Sequence, residues 1–146
     1  MIKTNLSSIP SLTRGEVKKM KEFNKIQNYK KGKEGEEIAR EFLIKKGFNL
    51  IESNYSNNLG EIDLIMTDKD WLVFVEVKLK VGDKFGHPEE MIGKNKLSRI
   101  KRIAEGFLVL ESPIANKFEK YRIDAVCVVL NEDNTLRSIK HYENLY

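Results

Sequence analysis

The spacing of apolar residues changes along the chain, and each spacing predicts a different kind of element. Intervals of three and four residues, which put apolar side chains on one face of a helix, occur in 35–48 and in 94–110. The first of these stretches is expected to end at Gly47, because glycine commonly closes a helix. A weaker stripe of the same kind predicts a further helix in the lysine-rich segment 14–31.

Other stretches have the alternation or the β-branched composition of strands, and turn residues separate them. The segment 71–80 is nearly continuous in apolar residues, as expected of a central strand covered on both faces. The order of helix, three strands, helix and two strands predicts an α/β fold, a sheet with a helix on each side. The predicted strands are 50–55, 61–66, 71–80, 121–130 and 138–142.

Composition narrows the class of protein. A length of 146 residues, 40% of them hydrophobic and 33% charged, fits one globular domain. The single cysteine, Cys127, excludes an internal disulfide framework and a cysteine-based zinc site, and two histidines are too few for a histidine-rich metal site. No apolar run is long enough to span a membrane, and the first residues lack the apolar region of a secretion signal, so a cytoplasmic location is expected.

Charge is unevenly distributed along the chain. The net charge is +4, but residues 1–34 alone carry nine Lys or Arg and three Asp or Glu, a local net charge of +6. We therefore interpret 1–31 as a basic N-terminal extension, partly flexible or helical, and 32–146 as the folded domain. Such an extension can hold an anionic polymer, and the alternative is a solvated tail.

Charged residues interrupt the apolar strand 71–80 toward its end. Because side chains alternate between the faces of a strand, Glu76 and Lys78 share one face. Asp63 lies on the preceding predicted strand, and a hairpin between the two strands would bring it to Glu76. Two converging carboxylates suit Mg²⁺, or Mn²⁺ in its place, and a neighbouring lysine can stabilise a phosphoryl group under attack. The pattern points to metal-dependent hydrolysis of a phosphodiester, and the alternative is a simple salt bridge between Glu76 and Lys78.

Each predicted helix adds candidates near this pair. On a helical projection Glu36 lies on the rim of the apolar stripe, where it can lean toward Asp63; the alternative is a glutamate favoured by the helix N-terminus. Gly32 and Gly35 fall inside the stripe and would let the helix approach the sheet closely. Lys96 projects toward the buried side of the second helix. Phosphate contact and a solvated face both remain open for the basic residues of that helix, among them Lys94, Lys96 and Arg99.

Two further charged residues, Arg122 and Asp124, share one face of the strand 121–130. We interpret them as an internal salt bridge rather than as part of the site. Cys127, in the middle of the same strand, is interpreted as core. His87 is given no role, because this hydrolysis does not require a histidine.

Six segments occur in order over 32–146 with few gaps: GKEGEEIAREFLIKKGF, NYSNNLGEIDLI, LVFVEVKLK, FGHPEEM, RIDAVCVVL and IKHYENLY. Together they closely resemble the YraN family, also called UPF0102, and GEIDLI followed by FVEVK is the most specific part. That family is similar to the PD-(D/E)XK nucleases and especially to archaeal Holliday junction resolvases. The resemblance implies a restriction-endonuclease-like core, a mixed central sheet flanked by helices, with Mg²⁺ bound at the hairpin.

Carried over by position, the resemblance implies that Asp63, Glu76 and Glu36 hold the metal and that Lys78 is the catalytic lysine. Ile62 stands where the superfamily has proline. Lys80 stands where the family usually has arginine, so the positive charge expected to contact nucleic acid is kept. Neither departure removes a metal ligand.

The implied function is a structure-selective DNA endonuclease, similar to a Holliday junction resolvase and acting in repair or recombination. Two cuts in one junction would favour a homodimer. The alternative is a nucleic-acid-binding module of nuclease fold with little or no catalysis, recruited by a partner. A third hypothesis is a structural or interaction protein that keeps only the fold.

Overall fold

The computed structural model describes residues 11–82 and 92–145. Contacts divide the described residues into two compact units, one up to Lys31 and one from Gly32 onward. Most of the predicted loop after the third strand, including His87, lies outside the described residues. No described helix is long and apolar enough to cross a membrane.

One continuous helix, α1 (Arg14–Lys45), takes the place of the two helices predicted from the sequence. It begins with a capping box, in which the Glu16 N–H donates to the Thr13 hydroxyl at 3.3 Å and the Thr13 N–H donates to the Glu16 carboxylate at 2.7 Å. Gly47 follows its end with a φ of 101°, so the predicted stop is confirmed. The helix continues through its internal glycines because one glycine costs a helix only about 1 kcal/mol.

The part of α1 after Gly32 packs on the sheet. Gly35 is buried there, and a Cβ at this position would lie 2.9 Å from the Leu79 Cβ, so the close approach predicted for Gly35 is confirmed. A Cβ at Gly32 would meet none of the described atoms within 4 Å, so the same prediction is wrong for Gly32. The close approach therefore depends on one glycine.

The remaining described elements are β1 (Asn49–Asn57), β2 (Gly60–Asp68), β3 (Trp71–Val81), α2 (Lys94–Leu110), α3 (Ser112–Ala115), β4 (Lys120–Leu130) and β5 (Leu136–Tyr142). The strands form one sheet in chain order, and all neighbours are antiparallel except β3 and β4, which are parallel. The prediction of an α/β fold with a mixed central sheet is confirmed. The short helix α3 was not predicted, because four residues are too few for a periodic pattern.

The first hairpin is tighter than the sequence indicates. The turn expected over 56–60 shrinks to two residues, because β1 and β2 pair up to Asn57 and Gly60. The Asn57 side chain accepts the Leu59 N–H at 2.9 Å, which closes the turn locally. Strand β5 likewise begins at Leu136, before the predicted start.

Each face of the sheet has its own apolar cluster under one helix. On one face Ala39 and Leu43 of α1 pack against residues of β2, β3 and β4. On the other face Ile103 and Phe107 of α2 pack against β2, β3 and β4 from the opposite side. Strand β3 contributes to both clusters, which confirms a central strand covered on both faces.

The β2–β3 hairpin opens at the end away from its turn. Backbone pairing between the strands runs as far as Leu64 and Val75 and stops there. Beyond that point the Val77 N–H donates to the Asp63 carboxylate at 2.8 Å. The opening therefore leaves backbone groups of β3 to a side chain of β2, and this side chain belongs to the candidate site.

Candidate active site

Two carboxylates of neighbouring strands converge where β2 and β3 separate. Asp63 and Glu76 come directly next to Leu64 and Val75, the last paired residues of the two strands. Glu76 is buried, with 5% of its surface exposed, and Asp63 is half-buried. The hairpin expected from the sequence is present, and it brings the two acidic residues together.

The surroundings of Asp63 disfavour its negative charge. Burial raises the pKa of Asp63 to about 7, and the charges of Glu76 and Glu36 contribute to the rise. The Val77 N–H works in the other direction but does not offset the rise. A site of this kind favours a proton or a cation between the carboxylates.

Two lysines neutralise Glu76. Lys96 Nζ lies 2.6 Å from Glu76 Oε1, and Lys78 Nζ lies 3.6 Å from the same oxygen. Burial lowers the pKa of Lys78, and the neighbouring Lys96 lowers it further. Burial also acts against the charge of Lys96, but its hydrogen bond to Glu76 helps to outweigh burial, and the pKa of Lys96 is raised. The salt bridge between Glu76 and Lys78 considered from the sequence thus exists, but Lys96 makes the closer contact.

An open cavity of about 280 Å³ gives access to the acidic pair. Asp63 and Glu76 line it together with Lys96 and Arg99 of α2. Two of the basic residues singled out on this helix therefore share a cavity with the carboxylates. Lys94 is exposed at the start of α2 and is not among the residues described as lining this cavity.

Glu36 lies in the interior of α1, and its side chain is 18% exposed. Because the helix begins at Arg14, a position at the helix N-terminus does not explain this glutamate, and that alternative is wrong. Lys33 Nζ lies 3.5 Å from its carboxylate. The negative charge of Glu36 contributes to the raised pKa of Asp63. Within 11–82 and 92–145, however, no three His, Cys, Asp or Glu side chains are close enough together to hold a metal ion. The structure thus brings Asp63 and Glu76 together and leaves Glu36 beside them.

Sequence comparison relates this arrangement to other proteins. The model described as "Uncharacterised protein family UPF0102" matches residues 35–128. This chain belongs to the UPF0102 family. A UPF0102 protein of Dictyoglomus thermophilum is 36% identical over 121 residues, which cover 83% of this chain and 100% of that protein. A UPF0102 protein of Caldicellulosiruptor saccharolyticus is 38% identical over 115 residues, which cover 79% of this chain and 95% of that protein.

The UPF0102 match includes the candidate site and its neighbours but not the whole chain. Glu36, Asp63, Glu76, Lys78 and Lys96 fall inside it, whereas the basic N-terminal segment and the last strand fall outside. The relatives' names state no reaction. Membership of UPF0102 therefore establishes kinship, and the chemistry must be argued from the site.

A second charged cluster lies on the opposite face of the UPF0102 sheet. Arg122 donates to Asp124 at 2.9 Å and to Asp68 at 3.0 Å, so the predicted internal salt bridge is present. His141 lies 2.8 Å from Asp124, and the Asn144 N–H donates to Asp124 at 3.0 Å. His141 and Asn144 were not singled out from the sequence, although both lie in the segment IKHYENLY. The cluster ties the end of the chain to β4.

Proposed function

We propose that this UPF0102 protein hydrolyses phosphodiester bonds of nucleic acid with a divalent metal ion at Asp63 and Glu76. The observation that carries the proposal is the convergence of these carboxylates in an open cavity, with burial and like charge raising the pKa of Asp63 to about 7. Two like charges so close together call for a cation or a proton. Mg²⁺ and Mn²⁺ prefer carboxylate oxygens, and Mg²⁺ is commonly held by one or two carboxylates together with substrate phosphates.

The donor set fits such an ion. The hydrogen bond from the Val77 N–H fixes the Asp63 carboxylate in orientation. One oxygen of Glu76 is now occupied by Lys96 at 2.6 Å, so a cation at this oxygen requires the ammonium to move aside. The displaced ammonium remains at the wall of the cavity, where it can contact a phosphate. A bound cation would supply Lewis-acid polarisation of a phosphoryl oxygen.

Lys78 supplies the second positive charge at this position. Its side chain is 25% exposed and lies on the same face of β3 as Glu76. A fixed ammonium beside the acidic pair stabilises negative charge that develops on the phosphate, and partial burial strengthens this effect. Lys78 therefore holds the phosphate and orients it, while the carboxylates hold the cation.

The substrate class we propose is branched DNA, and the setting is repair or recombination. The support for this finer assignment is that GEIDLI and FVEVK resemble the YraN family, which is similar to Holliday junction resolvases. Cleavage of both strands of a junction needs two sites, so the active form would be a homodimer.

The test is cleavage and binding of labelled four-way junctions, flaps, single strands and duplexes of DNA and RNA, with Mg²⁺, Mn²⁺ or EDTA. We expect cleavage with either metal and none in EDTA. Asp63→Asn, Glu76→Gln and Lys78→Ala should each lose about 100-fold or more in rate, as removal of a group that stabilises transition-state charge commonly does. Glu37→Gln, an exposed glutamate of α1, is the matched control and should cut as the wild type does.

Comparison of Glu36→Gln with Glu37→Gln tests whether Glu36 is a metal ligand. Loss of metal affinity in the first variant alone, measured by calorimetry, would make Glu36 a third ligand. Equal metal affinity in both would leave the ion to Asp63 and Glu76.

A second candidate function is a nucleic-acid-binding module without catalysis. The contact between Lys96 and Glu76 favours it, because an ammonium 2.6 Å away already neutralises the carboxylate that a metal would need. Binding without cleavage under every metal condition would support this module and contradict the nuclease. Absence of both binding and cleavage would leave only the fold.

A further inference from the structure

The face of the sheet that carries the acidic pair changes character along β3. Near the start of the strand, Leu72 and Phe74 lie in the apolar cluster under α2. Glu76 follows on the same face, and Lys78 and Lys80 come after it. Along this face of β3, the apolar side chains that pack under α2 thus give way to lysines immediately after Glu76.

Strand register brings a third lysine to this face. Lys78 is the neighbour of Cys127 on β4, and Cys127 is the neighbour of Lys140 on β5. Neighbouring residues of paired strands point to the same face, and strands lie about 4.8 Å apart, so the Lys78 and Lys140 backbones are about 10 Å apart. Lys80 lies two residues beyond Lys78 on the same face. We call Lys78, Lys80 and Lys140 the lysine strip.

The charges of the strip meet around one buried side chain. Cys127 is 2% exposed, and its burial raises the pKa of the thiol. The positive charges of Lys78, Lys140 and Lys80 all act in the opposite direction on this thiol. The three lysines are therefore close enough to this thiol for their charges to act on it, which agrees with the strand register.

The lysine strip and the acidic pair share one face of the sheet, and Glu76 pairs with Lys78 there. Among the described residues that β3, β4 and β5 place on this face, Glu76 is the one acidic side chain. On α2, Lys96 and Arg99 line the cavity beside the acidic pair, and Lys96 shares an oxygen of Glu76 with Lys78. Asp63 and Glu76 are thus flanked by basic side chains on the sheet and on α2.

We propose that the lysine strip binds the sugar–phosphate backbone of nucleic acid, from the phosphate that Lys78 holds beside Asp63 and Glu76 outward to Lys140. This inference rests on the proposed function and extends the basic surface from Lys96 and Lys78, beside Glu76, to Lys140 on β5. A strip about 10 Å long can contact two or three phosphates at about 3.4 Å of rise per nucleotide. Lys140 is the new element, since it lies outside the UPF0102 match and is exposed on the last strand.

The test measures binding in EDTA, so that cleavage plays no part. Fluorescence anisotropy with a labelled four-way junction and a labelled single strand is repeated over a range of salt concentrations. Lys140→Gln and Lys80→Gln should each reduce the slope of log affinity against log salt by about 0.7–0.9, the value for one phosphate contact. Lys140→Glu should weaken binding further. Lys117→Gln removes a lysine just before β4, at the opposite end of that strand, and should leave the slope unchanged.

The outcomes separate this inference from the proposed function. If the wild type binds and Lys140→Gln keeps its slope, the lysine strip is overturned while the nuclease proposal stands. If the slopes change as expected but no metal yields cleavage, the strip holds and the nuclease proposal fails. If the wild type binds no nucleic acid, both are overturned. Equal melting temperatures of Lys140→Gln and the wild type exclude a folding defect. Lys140→Arg keeps the positive charge and should retain binding, which provides a second control.

Discussion

Two clusters of buried charge lie on opposite faces of the same sheet, and they differ in what their carboxylates face. Asp124 is completely buried, yet hydrogen bonds from His141, Arg122 and the Asn144 N–H overcome its burial and lower its pKa. Asp63 is less buried, but burial and the charge of Glu76 raise its pKa to about 7. Hydrogen bonds outweigh burial at the first carboxylate, whereas the one from the Val77 N–H does not outweigh burial at the second.

This difference separates a structural cluster from a candidate site. A fully hydrogen-bonded buried charge holds elements together, and removing one partner leaves another charge uncompensated. A carboxylate pair with an open cavity in front of it is costly for the folded protein unless something else binds there. If burial of a carboxylate were the sole criterion for a functional site, the fully buried Asp124 would be chosen instead of Asp63.

The largest expected effect on the free energy of unfolding is in the cluster around Asp124. Asp124→Asn leaves the buried Arg122 with Asp68 as its described acidic hydrogen-bond partner, so we expect a loss of about 3–5 kcal/mol in the free energy of unfolding. Urea denaturation followed by circular dichroism measures it. Asp133→Asn, in the exposed turn before β5, is the control and should cost less than about 1 kcal/mol. An Asp124→Asn protein as stable as this control would break the comparison.

The next effect has the opposite sign. Because the folded protein raises the pKa of Asp63, it favours the protonated form; this contribution is complete below pH 3.8 and is lost as the pH rises to about 7. In EDTA at pH 8, Asp63→Asn should therefore be more stable than the wild type, by an amount on the order of 2 kcal/mol.

The check is the difference in unfolding free energy between wild type and Asp63→Asn from pH 4 to pH 8. We expect this difference to grow from pH 4 to pH 8. A difference that does not change with pH would contradict a raised pKa of Asp63. Asp124 shows the opposite direction: its lowered pKa contributes stability at neutral pH, and that contribution is lost as the pH falls below the ordinary value of 3.8.

The smallest effect is the response to metal. A divalent ion at ten times its dissociation constant stabilises the folded state by about 1.4 kcal/mol. We expect Mg²⁺ or Mn²⁺ to raise the melting temperature of the wild type by about 3–6 °C, and not that of Glu76→Gln. Differential scanning fluorimetry in EDTA and in excess metal measures the shift. An equal shift in both proteins would assign the ion to a different place.

The sequence predicted the elements whose signals are local. The apolar stripe of α2 and the continuous run of β3 fixed their type, because these periodicities follow from the geometry of one helix and one strand. The alternation along β3 also placed Glu76 and Lys78 on one face correctly. The continuity of α1 through Gly32 and Gly35 was not predicted. A local pattern treats glycine as a helix stop, whereas the neighbouring residues compensate the free-energy cost of glycine in a helix.

Only the tertiary structure decided which charges meet. That Lys96 lies nearer to Glu76 than Lys78 does depends on the packing of α2 over the sheet. That His141 joins Asp124 and Lys140 joins the lysine strip depends on the register of β5, because a shift of one residue would exchange their faces. By itself, the sequence determined the strands, the helix α2 and the residues of the acidic pair. Long-range pairing decided the partners of each charge, because those contacts join residues that no local pattern connects.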